Sequence, residues 1–130
     1  MVSVRYLVHD VPAAITFYVD QLGFTLRQQF GPAMAILGHG DLTLWLAGPM
    51  ASAAKPMPDG RTPEPGGWAR FVLEVDDLPG LVARLRDAGV AFRNDILDGP
   101  GGRQILAEDP SAGQSHLRMP NQACLKQADG

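Results

Sequence analysis

The chain repeats one pattern at an interval of about half its length, and that repeat constrains its fold more than any other feature. Val8-His9-Asp10-Val11-Pro12 opens an amphipathic stretch that closes at Leu22-Gly23-Phe24, and Val75-Asp76-Asp77-Leu78-Pro79 opens a second that closes at Ala88-Gly89-Val90. Each copy reads strand, Asp cap, helix, Gly stop, further strands. Two such units can pack about a pseudo-twofold axis, with a small-molecule site where their sheets face each other. At 130 residues this is expected to be one domain, burying about two thirds of its unfolded surface.

In the first copy Val2, Val4, Tyr6 and Val8 share one face of a strand, and Ser3, Arg5 and Leu7 share the other. Asp10 can cap the helix that follows, Pro12 suits its first turn, Ile15, Tyr18, Val19 and Leu22 make its apolar stripe, and Gly23 stops it. Strands are predicted at Phe24–Phe30, Ala33–Leu37 and Leu42–Leu46, giving a βαβββ module over about residues 1–47.

The second module spans about 68–120. Phe71, Leu73 and Val75 face its helix and Arg70, Val72 and Glu74 face away; Asp77 caps, Leu78, Leu81, Val82 and Leu85 make the stripe, and Gly89 ends it. Val90–Arg93, Arg103–Ala107 and Gln114–Met119 are the remaining strand candidates. Beyond Pro110 the alternation is poor, so the last strand is expected to form incompletely, or the 121–130 tail to have a separate history. Between the modules, residues 48–67 hold Pro49, Pro56, Pro58, Pro63 and Pro65, too many for a helix or central strand; a linker or a lid fits this segment.

Charge and composition exclude several classes. A net charge of −3 provides no basic footprint for nucleic acid or for an anionic membrane surface. The single cysteine, Cys124, excludes an intrachain disulfide. Arg5 interrupts the first apolar run, no signal-peptide pattern follows, and no apolar stretch nears the ~20 residues of a spanning helix. A cytoplasmic setting is expected. No nucleophile elbow, phosphate-cradling loop or dinucleotide fingerprint is present, and Gly99-Pro100-Gly101-Gly102 reads as a turn.

Three runs carry a resemblance: Val8-His9-Asp10 with Phe17-Tyr18 and Leu22-Gly23-Phe24; Val72 through Leu78; and Gly101 through Leu106 with Glu108-Asp109-Pro110. With them the chain resembles the vicinal oxygen chelate superfamily of glyoxalases, bleomycin-resistance proteins and extradiol dioxygenases, over about residues 2–110. Asp10 through Phe24 is similar to the bleomycin-binding branch, and the 48–67 segment and the Gly101-to-Pro110 run to bacterial glyoxalase-like proteins. The resemblance implies an α+β fold of two βαβββ modules forming curved, open mixed sheets around a cavity. It further implies a homodimer and, in members that catalyse, a divalent metal held by His and Glu.

The residues at the implied ligand positions are not metal ligands. The His expected five residues before the Val of V-x-D is Ser3 in the first module and Arg70 in the second. Leu42–Leu46 contains no carboxylate or imidazole, and the Glu expected after the D-P-x-G-N run is absent from Asp109 through Leu117. A guanidinium about 4 Å from a divalent ion would be opposed by about 8 kcal/mol at an effective dielectric near 20, and arginine cannot deprotonate to relieve it. No metal or other cofactor is therefore expected. The expected function is sequestration of a small organic molecule, such as an antibiotic, in a cavity faced by Ser3, Arg5, Leu7, Trp45, Arg70, Val72, Glu74, Gln104 and His116. Arg70 and Glu74 can pair with each other or with Arg5, and an arginine beside Trp45 suits a planar polar ligand. Trp45 and Trp68 also fit core or interface positions, and His9 and His39 read as solvated. The alternatives are a metal-dependent lyase, isomerase or dioxygenase with ligands shifted to His116 or Glu108, and a degenerate dimer scaffold; whether the chain is an enzyme stays open at this point.

Overall fold

The computed structural model describes residues 3–120. These fall into two compact units: the described residues up to Trp68 with the turn Asp109–Gly113, and Ala69–Glu108 with the described residues from Gln114 on. Cys124 and the tail lie outside the described residues.

The first unit holds a mixed four-stranded sheet in the order β1-β4-β3-β2, from β1 (Ser3–Leu7), β2 (Thr25–Phe30), β3 (Met34–His39) and β4 (Leu42–Ala47). β1 runs parallel to β4 and the other pairs are antiparallel. Strand alternation sends Val8, Leu44, Leu46, Ala35 and Leu37 into the core, where each is almost fully buried. The helix α1 (Val11–Thr16) covers them, its N-terminus capped by the Asp10 carboxylate accepting from the Ala13 N–H at 3.1 Å.

The helix departs from the expected one in its second half. Phe17–Gln21 form a π-helical turn, which inserts an extra residue into the spiral and rotates the buried face. Val11, Ala14, Phe17, Tyr18 and Leu22 are buried, whereas Ile15 and Val19 of the predicted stripe are only half-buried.

The second unit holds β5 (Arg70–Glu74), β6 (Ala91–Phe92), β7 (Leu97–Gly99), β8 (Gly102–Glu108) and β9 (Gln114–Pro120), in the order β5-β9-β8-β6 with β7 also on β8. The helix α2 (Leu78–Asp87) is capped by Asp77, which accepts from the Gly80 N–H, and buries Leu78, Val82 and Leu85. Over the same core lie Leu73, Ile105, Ala107 and Leu117. The short strand β7 has no counterpart in the expected pattern.

The expectation of an incomplete last strand is overturned. β9 pairs in parallel with β5 over Arg70–Glu74 and antiparallel with β8 over Gly102–Glu108. Its alternation is obscured because Gln114 and Ser115 are buried polar residues, and ladder bonding on both edges holds the strand regardless of side-chain polarity.

The turn before β9 contains the one described non-glycine residue at positive φ, Ala112 at 63°. It stands where the D-P-x-G-N run of the resemblance has glycine, and an L-residue there is strained by about 1–2 kcal/mol. Ala112→Gly is expected to stabilise the protein by about 1 kcal/mol, read as a higher urea midpoint with an unchanged slope. An unchanged or lower midpoint would contradict it.

Candidate functional site

In each unit one sheet face packs on the helix and the other carries the polar side chains. On the first unit's polar face, cross-strand pairing sets Ser3 opposite Thr43, Arg5 opposite Trp45 and Leu7 opposite Ala47. The Arg5 guanidinium lies over the Trp45 ring, 4.9 Å from its centroid, close enough for a cation–π contact. A second cation joins this face: Arg27 Nη1 donates to Thr43 Oγ1 at 3.2 Å. Gly38, the partner of Thr43 on β3, makes room for it, since a Cβ there would collide with the Arg27 guanidinium. The sequence reading missed Arg27; a register shift between Leu26 and Gln28 breaks the alternation that would have placed it.

The Pro-rich segment belongs to this unit. With Leu7, Val8, His9 and Ala47 it encloses an apolar pocket of about 230 Å³, to which it contributes Pro49, Ala54 and Thr62 to Pro65. Trp68 is 72 % exposed, so it is not a core residue.

In the second unit Arg70, Val72 and Glu74 project from the polar face of β5, as the alternation requires. The expected pairing of Glu74 with Arg70 or Arg5 is corrected: Arg118 Nη1 donates to Glu74 Oε1 at 2.9 Å. Residues four apart on a strand are about 13 Å apart, whereas Arg118 stands directly across the ladder from Glu74. Arg118 Nη2 also donates to the Gly101 carbonyl at 3.2 Å. The Arg70 guanidinium forms no ion pair or hydrogen bond among the described residues.

Arg70, Gln104 and His116 meet in one pocket of about 140 Å³ that Asn94, Leu97, Ile105 and Leu106 complete. Asn94 and Leu97 were not legible, because they lie in and before the unexpected strand β7. Asn94 Oδ1 accepts from the Leu106 N–H at 2.9 Å, fixing that wall. The buried Nε2 of His116 has no hydrogen-bond partner among the described residues. Burial first, then the guanidinium groups of Arg70 and Arg118, hold its imidazole below the usual histidine value, so the ring is predominantly neutral at pH 7.

A family model, the Glyoxalase/Bleomycin resistance protein/Dioxygenase superfamily, matches residues 1–113. The chain belongs to this superfamily. Its fold matches that of TnmS3, an antibiotic binding protein from Streptomyces sp. CB03234, at 28% identity and TM-score 0.69, covering 92% of this chain and 93% of that one. A superfamily member from Sphaerobacter thermophilus DSM 20745 matches at 27% identity and TM-score 0.71, over 90% and 94% of the two chains. Lactoylglutathione lyase from Agrobacterium tumefaciens shares the fold, with 17% identity, TM-score 0.70 and 92% of each chain covered. No curated protein sequence matches significantly.

The divalent metal that superfamily membership brings to mind can be tested against the residues present. Among the described residues no three His, Cys, Asp or Glu side chains come together as a metal-holding group. His116 shares its pocket with a guanidinium, and Glu108, the other shifted candidate, accepts from Arg93 Nε at 2.6 Å. Ser3 on β1 faces Thr43. This donor set does not fit a hard divalent ion, which needs several oxygen or imidazole ligands.

Proposed function

We propose that this superfamily member binds a small planar organic molecule without a metal, using the face where Arg5 lies over Trp45. Arg70 carries this reading, because a permanent cation stands at a position where a metal-dependent relative needs a neutral imidazole. The Arg5–Trp45 stack supports it: a guanidinium on an indole offers a flat cationic surface to an aromatic ring and charge-assisted donors to its substituents. The resemblance to an antibiotic binding protein at 28% identity points the same way, and antibiotic sequestration is the role it suggests. A cytoplasmic homodimer is the form we propose for it. No helix among the described residues is long and apolar enough to cross a membrane.

The test uses Trp68→Phe, which leaves Trp45 as the sole tryptophan of the two. A panel of polycyclic aromatic antibiotics is titrated while Trp45 emission is followed. Saturable quenching that is unchanged by EDTA is expected. Quenching abolished by EDTA and restored by a divalent ion, or near-stoichiometric Ni, Zn, Mn or Fe by elemental analysis, would replace this reading with that of a metal-dependent enzyme.

A further inference from the structure

The second unit's pocket has a chemistry of its own. Its floor and sides are the apolar Leu97, Ile105 and Leu106, and its polar groups are Arg70, Gln104, Asn94 and His116. Three other arginines of this unit have a carboxylate: Arg118 has Glu74, Arg93 has Glu108 and Arg103 has Asp98. Arg70 has none among the described residues. The net charge of the chain is −3, so this local excess of positive charge comes from where the groups are placed.

The buried Nε2 of His116 is the second observation. It lies beside this guanidinium without a hydrogen-bond partner, and an unsatisfied buried polar atom is a cost that a bound group can remove. A cation cannot be that group beside Arg70. A neutral donor such as a hydroxyl or a carboxamide N–H would leave the guanidinium charge unmatched. An oxyanion answers both: its two oxygens can accept from the guanidinium fork, and one can also accept from Nε2–H of the neutral imidazole.

We infer that this pocket is a seat for a carboxylate attached to an apolar or aromatic body, so that a position devoted to a cation in metal-dependent relatives here receives an anion. Drug-sized ligands occupy pockets of about 300–1,000 Å³, and the roughly 140 Å³ here admits one functional group and its nearest carbons. Leu97, half exposed at the rim, and Leu106 favour an organic carboxylate over a fully hydrated inorganic anion. The inference deepens the binding reading above and rests on it: it names an organic carboxylate as a class of group that this chain takes.

The experiment compares benzoate, its neutral isostere benzamide, and inorganic phosphate by calorimetric titration at pH 7 and low salt. Benzoate is expected to bind at least about tenfold more tightly than benzamide and more tightly than phosphate. Arg70→Gln is expected to weaken benzoate about tenfold or more, in line with the loss of a charge-assisted pair, and to leave benzamide unchanged. Arg70→Lys should recover part of the loss, since the charge remains without the fork. His116→Leu should weaken benzoate several-fold with Arg70 intact. Arg61→Gln makes the same change in net charge at an exposed pair in the first unit and should change nothing. Equal binding of benzoate and benzamide, or an Arg70→Gln protein that binds benzoate as well as its parent, overturns the anion seat, while Trp45 quenching by the aromatic panel would leave the binding reading standing. If quenching also fails, both fall together. Circular dichroism of each variant separates lost binding from lost folding.

Discussion

Replacing Asp109 with alanine is expected to destabilise the protein by about 3–5 kcal/mol, out of a total of about 5–15 kcal/mol for a typical domain. Asp109 is only 4 % exposed, and its carboxylate gathers three donors. Oδ1 accepts from the Ser111 and Gly113 backbone N–H groups, each at 2.8 Å, and Oδ2 accepts from the Tyr18 hydroxyl at 2.7 Å. Alanine leaves two buried amides and a buried hydroxyl without that partner, and each orphaned group costs about 1–3 kcal/mol. The effect spreads because Ser111, fixed by this turn, accepts from the His9 N–H through its hydroxyl at 2.8 Å, just before the helix cap at Asp10. Tyr18→Phe removes one of the three donors and keeps the ring, which packs edge-on against Phe17 and Phe24. It should cost about 1–2 kcal/mol. Urea unfolding followed by tryptophan emission checks both. A loss below 1 kcal/mol for Asp109→Ala would show that the turn holds its shape without the carboxylate.

That carboxylate also marks where sequence reasoning stops. Asp109 was visible only as part of a motif, because its role depends on Tyr18, 91 residues away, and no local period encodes that distance. Local information was sufficient where a feature is local. The Asp10 and Asp77 caps, the Gly23 and Gly89 stops and the alternation of β1 and β5 follow from hydrogen bonding and sterics within a few residues. They also place Ser3, Arg5, Leu7, Arg70, Val72 and Glu74 on the polar faces. What each of those side chains touches depends on the strand beside it. Glu74 meets Arg118 because β9 runs parallel to β5 in that register, and a single strand read alone suggested Arg70 instead. The π-turn at Phe17–Gln21 and the short β7 escaped for a related reason, since neither has a period of its own and both are held by neighbours.

The strand least legible in sequence is expected to be among the most important for stability. Leu117→Ala should cost about 3 kcal/mol, within the 2–5 kcal/mol range for truncating a buried leucine. Leu117 is fully buried at the centre of β9. It pairs with Leu73 on one side and Ile105 on the other, so its removal opens a cavity that two flanking strands, bonded along their whole length, cannot readily close. Backbone ladders are indifferent to the substitution, which makes the loss a measure of packing alone. Val72→Ala on the same sheet supplies the comparison: Val72 is 50 % exposed and its truncation should stay within about 0.5 kcal/mol. Urea unfolding followed by far-ultraviolet circular dichroism reads both variants, with the slope unchanged. Equal, small losses for the two would mean that β9 is loosely attached, as its polar sequence suggests on its own. In that case His116 would not be held against Arg70, and the pocket built on them would lack a fixed wall.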